Sequence, residues 1–270
     1  MLAATEVAQS TVVIAIGGVA VRVNTADPDF LALLQNRYAG FVCDESDVEF
    51  EFDVDLREPD DIEAGSPVRA KYNAGRWLLE RGDFRAEFCP ETRRGSIRQT
   101  ANPFSIDAVL RIVHTLVLVK QGGFLLHSAS AIRNGKAFLF AGVSGAGKTT
   151  ISRLAPTDAT LLTDEISYVR KRGDGYVAYG TPFTGELAKL GENTSAPVAA
   201  LYLLAQGKEN RIDPVGTSDA GRELLANMLF FAEDREMVHE AFQAACDFVH
   251  RVPVHWLTFV PNARVWELIG

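Results

Sequence analysis

The sequence predicts an α/β protein: a mixed-sheet, phosphate-loop (P-loop) nucleotide-binding domain preceded by a small β-rich N-terminal domain. Three observations carry that expectation. Ala137 to Ala141 is an apolar run of strand character that leads through a glycine-rich turn into Thr149-Thr150-Ile151, which reads as the start of a helix. Asn134-Gly135 separates that strand from another apolar run, Phe124 to Ile132, and Asn-Gly between apolar strands is a strong hairpin signal. The phosphate-loop strand therefore has an antiparallel neighbour, unlike the crossover-joined strands of an all-parallel sheet. Finally, composition changes at Pro103, from short alternating strands to long apolar helices and strands. The expected domains are 1–103 and 104–270.

The first hundred residues read as strands and turns. Thr11 to Ile16 and Val19 to Val23 flank Gly17-Gly18, a pair able to turn a hairpin. Asp27-Pro28-Asp29 opens a short helix with Phe30, Leu31, Leu33 and Leu34 apolar. Val48 to Val54 alternates strictly, a strand with one wet acidic face; a solvated face and a docking face for a basic peptide are both open to it. Glu58 to Pro67 reads as a loop, and Arg76–Glu80, Asp83–Phe88 and Gly95–Thr100 as further strands.

Ser105 is the expected N-cap of a buried helix, with Asp107 in its first turn and Val109, Leu110, Val113, Leu116 and Val117 at helical spacing. His114, within that helix, is expected to be a packing residue. Ala159 to Arg170 reads as an apolar strand carrying Asp164-Glu165. Tyr176–Tyr179 and Val198–Leu204 are strands, with a loop from Gly180 to Glu186 after the first. Ser218 is the expected cap of one helix, and a second runs from about Glu233 to Val249. Val254–Val260 closes the sheet before a last short helix, Ala263–Ile269.

Composition bounds the function. Hydrophobic residues make up 47% and charged residues 23%, which are globular values. A net charge of −8 argues against nucleic acid, whose phosphate backbone calls for a basic face. It leaves ATP open, because such a site is built locally. Cys43, Cys89 and Cys246 are scattered without metal spacing and read as reduced thiols. The start carries Glu6 and no basic leader, and no apolar run approaches a membrane span. The expectation is a cytoplasmic protein with neither a nucleic-acid nor a membrane partner.

Gly142 to Thr149 fits G-x-x-x-x-G-K-[ST] at every position. The candidate nucleotide-binding residues are Gly142, Val143, Ser144, Gly145, Ala146, Gly147, Lys148, Thr149 and Thr150. Glycines let backbone N–H groups crowd around phosphate oxygens, and a following helix points its positive end at the same anion. Lys148 would reach the β- and γ-phosphates of ATP, and the Thr149 hydroxyl would hold Mg²⁺. Asp164 and Glu165 stand where such proteins keep the acid that completes the Mg²⁺ shell and a second acid able to act as base. Neighbouring strand residues face opposite sides, so both reach the site only if the strand bends. Asp164 is the metal candidate beside Thr149, and the split of metal and base roles stays open. His127 falls opposite Gly142 if the hairpin pairs around Asn134-Gly135, close enough to touch a phosphate or the incoming hydroxyl.

His127, the Asn-Gly hairpin, Gly142 to Thr149 and Asp164-Glu165 occur in that order between about Phe124 and Val169. Together they resemble the HPr kinase/phosphorylase family, which shares a nucleotide-binding fold with phosphoenolpyruvate carboxykinase. The chain is more similar still to HPr kinase-like proteins of bacterial peptide modification, such as lasso-peptide tailoring kinases. Those also carry Thr-Pro-Phe and Gly-Glu in a loop like Thr181 to Glu186. The resemblance implies that His127 lies in the active site, and that one paired acid is the base towards a substrate serine while the other serves the metal. Glu165 stands where the HPr enzymes have aspartate, and the first hundred residues do not resemble their N-terminal domain.

The resulting expectation is an ATP- and Mg²⁺-dependent kinase that phosphorylates a Ser or Thr hydroxyl of a peptide or protein. Lys148, Asp164, Glu165 and His127 form its catalytic set, and the N-terminal strands offer sheet edges to a peptide. Self-association into a homo-oligomer is compatible with the sequence. The alternatives are a small-molecule kinase, a carboxykinase-like phosphotransferase, or a non-catalytic module whose ATP site gates binding.

Overall fold

Period-two alternation and helical spacing both appear where the residues call for them. The computed structural model describes residues 10–44, 47–57, 67–232 and 234–270. It divides into two compact units, Met1–Val113 with Phe231–Asp234, and His114–Phe230 with Arg235–Gly270. The division falls inside a helix, ten residues past the composition change at Pro103, because that helix contributes apolar side chains along its whole length.

The first unit holds β1 (Ser10–Ile16), β2 (Val19–Thr25), α1 (Pro28–Arg37), β3 (Phe50–Leu56), β4 (Arg69–Asn73), β5 (Arg76–Arg81), β6 (Phe84–Cys89) and β7 (Arg94–Gln99). Its seven strands run in the order β1-β2-β3-β7-β6-β5-β4. Asp27 caps α1 by accepting from the Phe30 amide at 2.8 Å. On β3, Phe50, Phe52 and Val54 face inward, and Phe88 meets both phenylalanine rings edge-on. The outward carboxylates of β3 are matched from neighbouring strands. Arg94 meets Glu51 and Arg98 meets Asp55, each at 3.1 Å, while Asn24 donates to Asp53 at 2.9 Å. The row expected to be an acidic face is therefore a charge ladder, which removes the reason for it to attract a basic peptide. β4 was not foreseen; its exposed side chains, Ala70 apart, show no alternation of apolar type. The loop expected at 58–67 lies, apart from Pro67, outside the described residues.

The helix α2 (Pro103–Lys120) is divided between the units. Its cap differs from the expected Ser105. Asn102 Oδ1 accepts the Phe104 amide at 2.9 Å, whereas the Ser105 hydroxyl donates to Asp83 at 2.7 Å. Asp107 consequently falls beyond the first turn, where it pairs with Arg37 and accepts from the buried Tyr38 hydroxyl at 2.6 Å.

The second unit holds β8 (Phe124–Arg133), β9 (Lys136–Ala141), α3 (Lys148–Arg153), β10 (Thr160–Thr163), β11 (Ile166–Arg172), β12 (Gly175–Tyr179), β13 (Ser195–Gln206), β14 (Arg211–Pro214), α4 (Thr217–Asn227), α5 (Arg235–Arg251), β15 (Val254–Phe259) and a closing 3₁₀ turn (Ala263–Leu268). β8 and β9 pair antiparallel around Asn134 and Gly135, both at positive φ, while β13 lies parallel to both β9 and β15. The sheet is therefore mixed, as the hairpin required.

β9 is central and alternates between two cores. Ala137, Leu139 and Ala141 pack with Leu224 of α4 and Phe248 of α5. Phe138 and Phe140 pack on the opposite face with Ile151 of α3 and Trp266. Four expectations need correcting. The run 159–170 is two strands, broken at Asp164-Glu165. The cap position before α4 is Gly216 rather than Ser218. The short strand β14 lies outside β15 at the sheet edge. The start expected for α5 at Glu233 lies outside the described residues, and the helix begins at Arg235. Among the described residues no helix is long and apolar enough to cross a membrane.

His114 is fully buried on α2, with Nδ1 3.2 Å from the Tyr168 hydroxyl. Burial, with a smaller contribution from Arg170, pushes its pKa down to about 3. A histidine in the unfolded chain takes up a proton near pH 6.5, whereas His114 in the fold does not, so stability is full above that pH and falls as pH drops towards 3. The second unit should lose several kcal/mol over that window. In urea unfolding as a function of pH, His114→Gln should flatten the acid limb, and an unchanged limb would refute the assignment.

Candidate active site

Three chain segments meet at one end of β8. The pairing of Ser128 with Ala141 brings the next residue, His127, beside Gly142, and on its other side His127 pairs with Ile166, just after Glu165. The break between β10 and β11 is shaped by Thr163, whose hydroxyl accepts from the amides of Glu165 and Ile166, both at 3.2 Å. Asp164 and Glu165 thus leave the ladder together, which meets the condition that the strand bend.

The resulting cavity, about 250 Å³, brings Ser144, Gly145, Gly147, Lys148, Thr149 and Thr150 together with His127, Asp164 and Glu165. Gly185 and Glu186 complete the wall. Gly142, Val143 and Ala146 belong to the same loop without lining the cavity. Gly142 and Val143 instead present carbonyls to Lys148 Nζ at 2.7 and 3.3 Å, and Ala146 is buried. Burial lowers the Lys148 pKa, while Glu165 and Glu186 act to raise it.

Gly147 is required on two counts. Its φ is +114°, and an added Cβ would lie 2.6 Å from the Phe259 ring. At the cap position of α3 it also has no side chain to occupy the first-turn amides, which lack acceptors within the helix. From the far side, Gln206 Nε2 donates to the Gly145 carbonyl at 2.8 Å.

Asp164 does something the sequence did not reveal. Its carboxylate is buried, and its two oxygens accept the amides of Gly185 and Leu187, each at 2.9 Å. The loop carrying those amides is anchored behind by Thr181, which donates from its amide to Leu162 O and from its hydroxyl to Ile166 O. Gly185 approaches so closely that a Cβ would sit 2.9 Å from Asp164 Oδ2. Glu186, held between two clamped amides, is thereby placed on the cavity wall. Sequence reasoning noted this carboxylate at the end of its loop but did not join it to the site, because some twenty residues and two strands separate it from Asp164 in the chain. The Gly-Glu pair was the available signal.

Replacing one acceptor oxygen of Asp164 by an amide nitrogen leaves one loop N–H facing a donor. Asp164→Asn should loosen the loop by about 1–3 kcal/mol. Amide hydrogen exchange at Gly185 and Leu187 should accelerate by about tenfold or more, and unchanged protection would refute the clamp.

Residues 96–270 match the family described as SynChlorMet cassette protein ScmC. Among solved structures, the Hpr(Ser) kinase/phosphatase from Coxiella burnetii is similar at 8% sequence identity and a TM-score of 0.28, over 53% of this chain and 90% of that one. No curated protein matches the chain. The family match runs from within β7 to Gly270, takes in every residue on the cavity wall and spans well over half of the sequence: the chain belongs to the SynChlorMet cassette protein ScmC family.

Proposed function

We propose that this chain is an ATP-dependent kinase that transfers a γ-phosphate to a Ser or Thr hydroxyl of a peptide or protein. One observation carries the reading: a lysine on a glycine-rich loop shares a single cavity with His127 and three acids, Asp164, Glu165 and Glu186. That set supplies a cradle for phosphate, a cation for its charge and a base for a hydroxyl. With α3 only six residues long, the loop amides and Lys148 bear most of the anion binding. Lys148 would exchange the carbonyls of Gly142 and Val143 for phosphate oxygens.

The donors also suit Mg²⁺, which prefers hard oxygen ligands and keeps phosphate oxygens and water in its shell. Among the described residues no three of His, Cys, Asp and Glu converge to hold a metal by themselves, so phosphate oxygens and water would complete its coordination. Thr149 and Asp164 would hold the ion, Asp164 through lone pairs that its two amide bonds leave over. An ion held there would supply positive charge against the negative charge developing on the leaving oxygen.

The clamp on Asp164 separates its role from that of Glu165. A carboxylate tied by both oxygens to backbone amides cannot swing towards an incoming hydroxyl, so the base role falls to Glu165. In the transfer, the acceptor oxygen bonds to the γ-phosphorus as its proton passes to Glu165. The bond from that phosphorus to the β,γ-bridging oxygen breaks, and ADP leaves. His127, at the root of the loop, would hydrogen-bond the transferring group.

Lys148→Ala should lower transfer by about 100-fold or more and weaken Mg-ATP binding in isothermal titration. Unchanged affinity would sink the nucleotide assignment. The acceptor class is tested by offering labelled ATP with a Ser-containing peptide library against free serine, sugars and nucleosides. Peptide labelling is expected, and efficient turnover of a free small molecule with no labelled peptide overturns the peptide reading.

His127→Ala should cut turnover while leaving ATP affinity within a few-fold, since His127 lies beside the root of the loop at Gly142. Kinetics paired with a melting curve decide it: a variant that unfolds returns His127 to a structural role.

A further inference from the structure

The glycine loop rests on the ends of two strands beyond the one that feeds it. β13 runs parallel to β9 with Leu203 opposite Ala141, so its last residues continue alongside the loop. On its other side β13 pairs with β15, and Gln206 stands opposite Phe259 there. Side chains opposite one another in a ladder share a face. That face is the one covered by α3, where Ala200, Tyr202, Leu204 and Phe259 pack with Ile151. Alternation places Gln206 at the end of this apolar row, exposed where the others are buried. Gly207 fixes the register at this point. Its amide donates to the Phe259 carbonyl at 3.2 Å, and a Cβ on it would lie 2.2 Å from Thr258 Cγ2.

The two opposed residues meet the loop in different ways. The Phe259 ring occupies the space that a Cβ on Gly147 would need. Gln206 instead donates from Nε2 to the Gly145 carbonyl. The N–H of the same peptide unit, on Ala146, donates to the Val143 carbonyl at 3.0 Å. Sterics do not hold this unit. Gly145 has φ of +80°, and a Cβ built there would meet nothing within 4 Å, so hydrogen bonds decide which way the peptide faces. Gly145 lines the cavity, and Gln206, off its wall, draws the carbonyl the other way. Turned over, the unit would bring that oxygen round towards the cavity, an acceptor facing an anion.

We propose that Gln206 is a positioning residue for the glycine loop: it holds the Gly145 carbonyl against the end of β13 and so keeps an acceptor out of the phosphate cradle. It acts through the loop. The inference rests on the nucleotide reading above and adds to it a residue from a strand that contributes nothing to the cavity wall.

Gln206→Met keeps the length of the side chain and removes its donor. On the full chain without nucleotide, amide exchange at Ala146 should quicken by about two- to tenfold, as for one hydrogen bond of ordinary strength. Gln206→Lys, which keeps a donor within reach, should restore the slower exchange. In isothermal titration with Mg²⁺ present, Gln206→Met should weaken ATP and inorganic tripolyphosphate by a similar factor, because the loop meets phosphate. Melting temperatures should stay close to the parent's, since Gln206 is exposed. Unchanged exchange at Ala146 overturns the inference alone, as does a parent that binds both ligands while Gln206→Met binds them equally well. A loss confined to ATP would mark a contact to the nucleoside and overturn it too. A parent that binds neither ligand overturns the nucleotide reading, and the positioning role with it.

Discussion

The antiparallel pairing of β8 with β9 is the constraint on which the candidate site depends. Its register follows from a two-residue turn at Asn134-Gly135, and a one-residue slip would turn every side chain of β9 to the opposite core. The cores could not absorb that. One is made for Ala137, Leu139 and Ala141 against two helices, the other for Phe138 and Phe140 against Ile151 and Trp266. With the register locked by packing on both faces, His127 has no choice but to stand beside the start of the glycine loop.

The same strand explains why the acids arrive. β8 is long enough to pair with β10 along one half and β11 along the other. The chain crossing between those partners must leave the ladder, and it leaves at Asp164-Glu165. A buried carboxylate there needs partners, and the loop after β12 supplies two amides. Satisfying Asp164 and positioning Glu186 are thus one event, because the residue between the two bonded amides is held by both.

The two sheets use charge differently. Around Asp164 a single buried carboxylate is satisfied by fixed backbone dipoles, an arrangement that resists change because an orphaned buried group is costly. On the outer face of the first sheet, side chains pair across strands in water, where each exchange costs little.

Much of this protein was legible in its residues. Local rules sufficed for the Gly17-Gly18 hairpin, the α1 cap at Asp27, the mixed sheet implied by Asn134-Gly135 and the central place of the glycine loop, because turn conformation and alternation act over a few residues. His127 beside Gly142 followed from counting along one hairpin. What chain-local reasoning could not reach depends on partners far away in sequence. Asn102 capped α2 because Asp83 claimed Ser105, and β4 formed because β5 lay beside it. The acidic row of β3 became a ladder because β7 brought arginines to it. Asp164 became a clamp because a loop twenty residues on turned its amides back. Composition and spacing determined the kinds of groups this protein owns; only the tertiary structure decided which of them satisfy one another, since burial and hydrogen-bond pairing are properties of the assembled neighbourhood.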